Sequence, residues 1–201
     1  MLNYLLDITL GSKYIGDIYI NLHYLKNMVT EHISNHWPHE KQIKLFSEEQ
    51  LKGAAGTLSE LKKELSGQPI LVVHADNLSD FVLDDFITAH EKRPTGCLLT
   101  MMLFKTDAPS TCGIVELDEL GRVIKMHEKV SNSPSNLANG AVYIFEPEVL
   151  GWIIKNNGTD ISAEVIPSFN WKIASWLNQG YHRDIGNPKS YVLAQEEFIK
   201  R

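Results

Sequence analysis

Residues Pro69–Asp76 read P-I-L-V-V-H-A-D, an apolar run that ends in a carboxylate. Ile70, Leu71, Val72 and Val73 form the continuous apolar part, with Gly67 and Pro69 before it and Asn77 after it. A run without alternation suits a strand buried on both faces, as in a parallel sheet covered by helices. In open α/β sheets ligands collect at the carboxyl ends of strands. Asp76 therefore falls where a charge can meet a ligand or a metal beside a low-dielectric floor. The plainer reading, that Asp76 starts a turn or caps a helix over about Ser79–His90, stands beside it.

With 201 residues, 43% of them hydrophobic, the chain can bury one sizeable core and is expected to form a single domain. A net charge of −6 and a pI near 5.7 argue against a phosphate-backbone partner, so no nucleic acid is expected. Cys97 and Cys112 form no metal-ligand spacing and are expected as reduced thiols. No segment approaches the roughly 20 apolar residues that cross a bilayer. The opening M-L-N-Y-L-L-D lacks the basic start of a signal peptide, which makes a cytoplasmic chain without membrane contact the expectation.

The spacing of Leu2, Leu5, Leu6 and Leu10 predicts a helix that stops at Gly11. Strand and helix signals then alternate: strand over Asp17–Leu22, helix over Tyr24–Ser34, strand over Gln42–Phe46, and a helix from Gly53 through Leu65. After the Asp76 strand comes the helix near Ser79–His90. Repeated βα order implies a Rossmann-like, doubly wound and mainly parallel sheet in an α/β fold. The second half reads as strands over Gly96–Phe104, Ile114–Leu117, Val123–Glu128 and Ala141–Phe145, an antiparallel extension of the parallel core. A helix near Val149–Lys155 follows. Trp171–Leu177 and Tyr181–Asp184 read as one more strand pair, and Pro188–Arg201 as a closing helix. A doubly wound sheet normally opens on a strand whose following loop cradles phosphate; this sequence opens on a helix.

Several segments carry chemistry-bearing residues. Gly53-Ala54-Ala55-Gly56 precedes a helix, with Glu48 and Glu49 upstream. Small residues let a backbone approach a planar ring or a ribose, though a lone G-A-A-G is more often a tight loop-to-helix junction. Asp184, in H-R-D-I-G-N-P, alone reads as a turn residue. Paired with Asp76 it could complete a hard-cation site, since Mg2+ is held by one or two carboxylates plus substrate phosphates. Glu128-Lys129 ends a strand, where lysine can meet a phosphate and glutamate can accept hydroxyls; a solvent-facing strand end is the commoner case. Asn139 opens the next strand and offers an amide to a hydroxyl or to a turn. His32, His36 and His39 lack a carboxylate partner and have Trp37-Pro38 between the last two, a poor zinc pattern. No Gly-x-Ser-x-Gly is present, and covalent hydrolase chemistry has no support.

Taken in order, these segments resemble the sugar-1-phosphate nucleotidyltransferases, or nucleotide-sugar pyrophosphorylases, over nearly the whole chain. The family's E-x-x-L-G-T-A-G is matched by E-Q-L-K-G-A-A-G over Glu49–Gly56, and its strand-ending G-D by Ala75-Asp76. Y-G-V-V-E-L-D-x-x-G-R-V is matched by C-G-I-V-E-L-D-E-L-G-R-V from Cys112, and E-K by Glu128-Lys129. N-A-G-x-Y-I-F is matched by N-G-A-V-Y-I-F from Asn139, and W-x-D-I-G-T-P by H-R-D-I-G-N-P from His182.

The resemblance implies an enzyme that joins an NTP and a sugar 1-phosphate into an NDP-sugar and pyrophosphate, feeding cell-surface polysaccharide. It implies Asp76 and Asp184 as catalytic Mg2+ ligands. Glu49, Gly53, Ala54 and Gly56 would lie against the nucleotide. Gly113, Glu128, Lys129 and Asn139 would receive the sugar phosphate. A homo-oligomer is compatible with it, and the H-R-D-I-G ending leans toward a mannose- or heptose-1-phosphate guanylyltransferase-like branch. The family's G-G-x-G-T-R-L-x-P-L-T loop and the K-P lysine after it have no match here, so the expected domain lacks its first strand and phosphate loop. That departure keeps a second reading in view, a catalytically silent sugar-nucleotide-binding or assembly module. A third, a glycosyltransferase using a nucleotide sugar, predicts Asp-x-Asp, and His74-Ala75-Asp76 lacks the first acid.

Overall fold

In the computed structural model, which describes residues 1–129 and 134–199, the chain begins with helix α1 (Leu2–Leu10), strand β1 (Ile18–Leu22), helix α2 (Lys26–His36) and strand β2 (Ile43–Ser47). Helices α3 (Gly53–Glu60) and α4 (Lys62–Leu65) lead to β3 (Ile70–Val73), the short β4 (Asn77–Ser79), α5 (Leu83–Glu91) and β5 (Leu99–Lys105). The second half runs β6 (Gly113–Leu117), β7 (Val123–Glu128), β8 (Leu137–Phe145), α6 (Pro147–Asn156), α7 (Ile166–Ser168), β9 (Ile173–Leu177), β10 (His182–Asp184) and α8 (Pro188–Ile199). Residues 200 and 201 of the expected closing helix lie outside the described residues.

The α/β class holds, and the central sheet is mixed. Its strands run β7-β6-β8-β5-β9, with β3 joined to β8. The β5–β9 pair is parallel, as is the separate two-stranded sheet of β1 and β2. The pairs β6–β7, β6–β8, β5–β8 and β3–β8 are antiparallel, which supplies the expected extension.

Helices cover both faces of this sheet. On one side Leu99, Met101, Leu103, Tyr143 and Phe145 pack with Ala55 and Leu58 of α3, Val149 and Ile153 of α6, and Ile166 of α7. On the other, Met102, Val142 and Ile144 pack with Phe81, Leu83 and Phe86. Alternate residues of β5 and β8 thus enter opposite cores, which is why both strands read as nearly continuous apolar runs.

β3 meets that expectation in part. Ile70 and Val72 join the first core and Leu71 and Val73 the second, yet only Ile70 is fully buried. Its partner β8 runs antiparallel, in the register Val72↔Tyr143, whereas a parallel neighbour was expected. An apolar run encodes burial on two faces but not the sense of the strand beside it.

The reading of 171–184 as one strand pair is corrected. β9 lies parallel to β5, whereas β10 pairs antiparallel with β4 in the register Asp184↔Asn77. The Asp80 N–H donates to the Tyr181 carbonyl (2.8 Å), which helps seat β10 beside β4. The expected helix at 79–90 begins at Leu83 because residues 77–79 are used as a strand. No helix among the described residues is long and apolar enough to cross a membrane.

Candidate active site

Asp76 and Asp184 come together through the β4–β10 ladder. The Ile185 N–H donates to the Asp76 carbonyl (2.8 Å), extending the pairing past the ends of both strands. A Cβ built on Gly186 would lie 3.1 Å from Asp184 Oδ1 and 3.6 Å from Asp76 Oδ2. One point in space therefore faces both carboxylates. Each is held by a local donor: Asn77 Nδ2 reaches Asp76 Oδ1 (2.9 Å) and the Gly186 N–H reaches Asp184 Oδ1 (2.7 Å). Both acids are exposed. Behind β10, Arg183 forks onto Glu197 of α8 at 2.9 and 3.0 Å, fixing the strand that presents Asp184.

His182 lies two register positions from Asp184 along the same ladder. Its ring stacks on Phe104 with centroids 3.9 Å apart, and its Nδ1 shares a 2.7 Å hydrogen bond with Ser79 Oγ. Burial pushes its pKa down to about 4, with the Asp184 charge pulling the other way. A Cβ on Gly140 would lie 3.6 Å from His182 Cε1, so β8 passes directly beside it.

β8 carries an irregularity there: its register with β5 shifts between Met101 and Leu103, and Ala141 adopts φ 52°. Asn139 stabilises the bulge, its Oδ1 accepting from the Ala141 N–H (3.0 Å) while Nδ2 donates to Tyr143 Oη (2.7 Å). Burial pushes Tyr143 up to about 12; Asn139 and Ser162 hydrogen bonds oppose the rise, and the Glu128 and Asp160 charges add to it. Glu128 sits across the ladder from Gly113, and its Oε1 is 2.9 Å from where a Cβ on Gly113 would be. Gly113 is small so that this carboxylate can lie over it. Lys129 follows in a left-handed turn (φ 49°), its N–H bonded to the Cys112 carbonyl (3.1 Å) and its side chain exposed. The fold thus gathers Gly113, Glu128, Lys129 and Asn139 around the β6–β7–β8 ends.

The Gly53–Gly56 segment forms the first turns of α3. Gly53 has φ 76°, and a Cβ there would lie 2.2 Å from the Thr159 carbonyl oxygen, which also accepts from the Ala55 N–H (3.1 Å). The glycine is required by this close backbone approach, as a loop-to-helix junction would have it. A cleft of about 570 Å³ opens between residues 51–60 and 157–160, with Gly53 and Gly56 on its wall; Ala54 is exposed.

Upstream, the structure engages Glu48 where the motif pointed to Glu49. Glu48 is buried and takes hydrogen bonds from Thr57 Oγ1 (2.9 Å) and Asn21 Nδ2 (3.3 Å), while Glu49 is exposed. Two adjacent glutamates look alike in a motif; only the alternation of the chain leaving β2 decides which turns inward. His32 and His36 stack on each other, and His32 Nε2 meets Asn3 Oδ1 at 2.6 Å. Among the described residues no group of three or more His, Cys, Asp or Glu side chains is arranged to hold a metal.

A probable mannose-1-phosphate guanylyltransferase 2 of Arabidopsis thaliana is 32% identical over 153 residues, 73% of this chain and 41% of the relative. A mannose-1-phosphate guanylyltransferase of Mycobacterium tuberculosis is 26% identical over 163 residues, 79% of this chain and 45% of the relative. The chain thus spans less than half the length of these two relatives. Among solved structures, HddC from Yersinia pseudotuberculosis superposes with a TM-score of 0.78 at 18% identity, covering 98% of this chain and 84% of that one. A putative glucose-1-phosphate thymidylyltransferase from Bacillus anthracis gives 0.80 at 16% identity, covering 96% and 80%. These two likenesses concern the fold. With its nucleotidyl transferase match extending over residues 1–201, the chain belongs to the nucleotidyl transferase family.

Proposed function

We propose that the protein joins an NTP and a sugar 1-phosphate into an NDP-sugar with release of pyrophosphate, with GTP and mannose 1-phosphate as its substrate pair. The observation that carries this reading is the meeting of Asp76 and Asp184 over Gly186, beside the Glu128, Lys129 and Asn139 cluster. The names of the relatives support the choice of guanine and mannose.

The two carboxylates fit a hard divalent cation: the donor set is all oxygen, and Mg2+ takes its remaining ligands from water and phosphates. Mg2+ held there would offset charge on the triphosphate and on departing pyrophosphate. Lys129, exposed and in no ion pair among the described residues, supplies a point charge to the sugar phosphate. Glu128 accepts sugar hydroxyls, and Gly113 leaves room for that carboxylate to lie over the strand. Gly53, Ala54 and Gly56, with Glu49 at the rim, border the nucleotide. The sugar-phosphate oxygen attacks the α-phosphorus as the bond from that phosphorus to the bridging oxygen of pyrophosphate breaks. No side chain forms a covalent intermediate, so positioning and electrostatics carry the catalysis. The reading includes Mg2+ dependence and a cytoplasmic setting.

The test is a coupled pyrophosphate assay with GTP, mannose 1-phosphate and Mg2+, alongside calorimetric binding of GDP-mannose. Asp76→Ala and Asp184→Ala should each lower turnover by about 10²-fold or more and weaken Mg2+-dependent binding while leaving the circular dichroism unchanged. Metal-independent binding, unaltered in both variants, would remove the metal site. Saturable binding without pyrophosphate release would favour a binding module.

A further inference from the structure

The ladder that brings Asp76 and Asp184 together is short. It joins His182↔Ser79, Arg183↔Leu78 and Asp184↔Asn77, and it forms a sheet of its own. A two-stranded ribbon of that size is marginal in water, and the two carboxylates at its end repel each other. The ladder therefore needs a brace from outside.

Helix α8 holds β10 on both sides of the Asp184 backbone. In its first turn Ser190 Oγ donates to the Asp184 carbonyl, and the Ser190 N–H is seated on Asn187 Oδ1 (2.9 Å). Near its far end Glu197 takes Arg183 with both oxygens, Nη2 to Oε1 at 2.9 Å and Nε to Oε2 at 3.0 Å. Tyr181 Oη closes a triangle, donating to Glu197 Oε2 (2.7 Å) and accepting from Arg183 Nε (2.9 Å). Arg183 alternates with His182 and Asp184 along the strand, so its side chain leaves by the face opposite to the acid. The next helical residue, Phe198, meets both Tyr181 and Tyr4 of α1 edge-on, each with centroids 5.8 Å apart. Tyr4 Oη donates to Oδ1 of Asp80 (3.2 Å), the residue that follows β4. The contacts thus run from β10 through α8 and α1 back to the end of β4, and they tie both strands of the ladder.

We propose that Glu197 is a positioning residue of the metal site: its fork with Arg183 fixes β10 against α8 and so sets the Asp184 carboxylate against that of Asp76. Glu197 touches neither metal nor substrate. The proposal rests on the reading of the two acids as metal ligands, and it gives a part in the site to the body of α8, beyond the last matched motif, which ends at Pro188.

A through-space effect of charge is the rival explanation, and signs separate the two. Glu197→Gln removes a negative charge, and Arg183→Met removes a positive one. Charge alone would weaken a bound cation in the first variant and tighten it in the second. Positioning weakens it in both, because both break the same fork.

The probe is Mn2+ alone, a paramagnetic stand-in for Mg2+ whose free ion is counted by electron paramagnetic resonance. Wild type should bind it, and Asp184→Ala should not. Glu197→Gln and Arg183→Met should each weaken binding about tenfold, the lower end of the loss seen when a group orienting a metal ligand is removed. Arg183→Lys keeps the charge without the fork and gives a milder variant should Arg183→Met fail to fold; it too should bind Mn2+ more weakly. Arg93→Ala breaks the Arg93–Glu146 pair, which lies outside the ladder and α8, and should leave the Mn2+ constant unchanged while lowering the urea midpoint. An unchanged constant in Glu197→Gln, opposite shifts on removing the two charges, or an equal loss in Arg93→Ala would overturn the proposal. Wild type that binds Mn2+ no better than Asp184→Ala would overturn the metal reading itself, and the proposal with it.

Discussion

His182 lies between the stacking ring of Phe104 and the hydroxyl of Ser79, close behind the carboxylate pair. Its folded pKa of about 4 lies below the ordinary 6.5 because burial disfavours the imidazolium. His90, buried between Thr100 and Glu146, is lowered in the same direction, again by burial first and then by Arg93. Folding therefore disfavours the charged His182 ring, whereas in the unfolded chain that ring takes up a proton near pH 6.5. The His182 contribution is therefore complete above pH 6.5 and is lost as pH falls toward about 4, amounting to at most about 3 kcal/mol. Urea unfolding at neutral pH and in steps down to the His182 value should show this loss, and His182→Gln should flatten it. Parallel curves for the two proteins would mean that the ring's burial is not what couples stability to pH.

The elements show what a sequence conveys and what it withholds. Gly53 opens α3 with its α-carbon against the Thr159 carbonyl, while Gly67 has a similar positive φ of 85° and nothing within 4 Å of a Cβ. Gly67→Ala should cost about 1–2 kcal/mol, the left-handed backbone penalty alone. Gly53→Ala should cost more by about 1–3 kcal/mol, because the obstructing atom is backbone and cannot swing away. Chemical denaturation of the two variants reads the difference directly; equal losses would refute the close approach. Local pattern sufficed for the helix ending at Gly11 and for the apolar strand over Ile70–Val73, since each is set by neighbouring residues. It could not show that β10 leaves β9 for β4, a pairing between residues about a hundred positions apart. The helical residues 161–168 went unread because I-S-A-E-V-I-P-S is short and its amphipathic face is set by the core it meets. That Glu48 is buried and Glu49 exposed was not legible either, because the path of the chain leaving β2 decides it.

At the scale of the whole molecule, the chain is divided unevenly between a dense centre and a thinner layer. β5 buries five successive residues, Leu99–Leu103, and β8 buries Val142, Tyr143, Ile144 and Phe145. β1 and β2 form their own two-stranded sheet, in which Leu22 is the one buried residue, and α2 buries Ile33 alone. Tyr24, Leu25, Met28 and Leu45 of this layer are exposed. Its links to the rest include Asn21 Nδ2 bonded to Thr57 (3.1 Å) and Glu48, and His32 bonded to Asn3. Few buried apolar contacts mean a low free energy of local opening, because little surface need be re-exposed. Under native conditions the amides of residues 18–47 should therefore exchange with deuterium roughly tenfold or more faster than those of β5 and β8. Asn21→Ala cuts the tie to Glu48 and Thr57 and should speed exchange in 18–47 further, with little change in β5. The motif that borders the nucleotide in the proposed function begins at Glu49, directly after Glu48, so mobility in the layer would reach the site through the Glu48 bonds to Asn21 and Thr57. Exchange measured by mass spectrometry decides it: uniform protection across 18–47 and 99–105 would show that the layer opens only with the whole molecule.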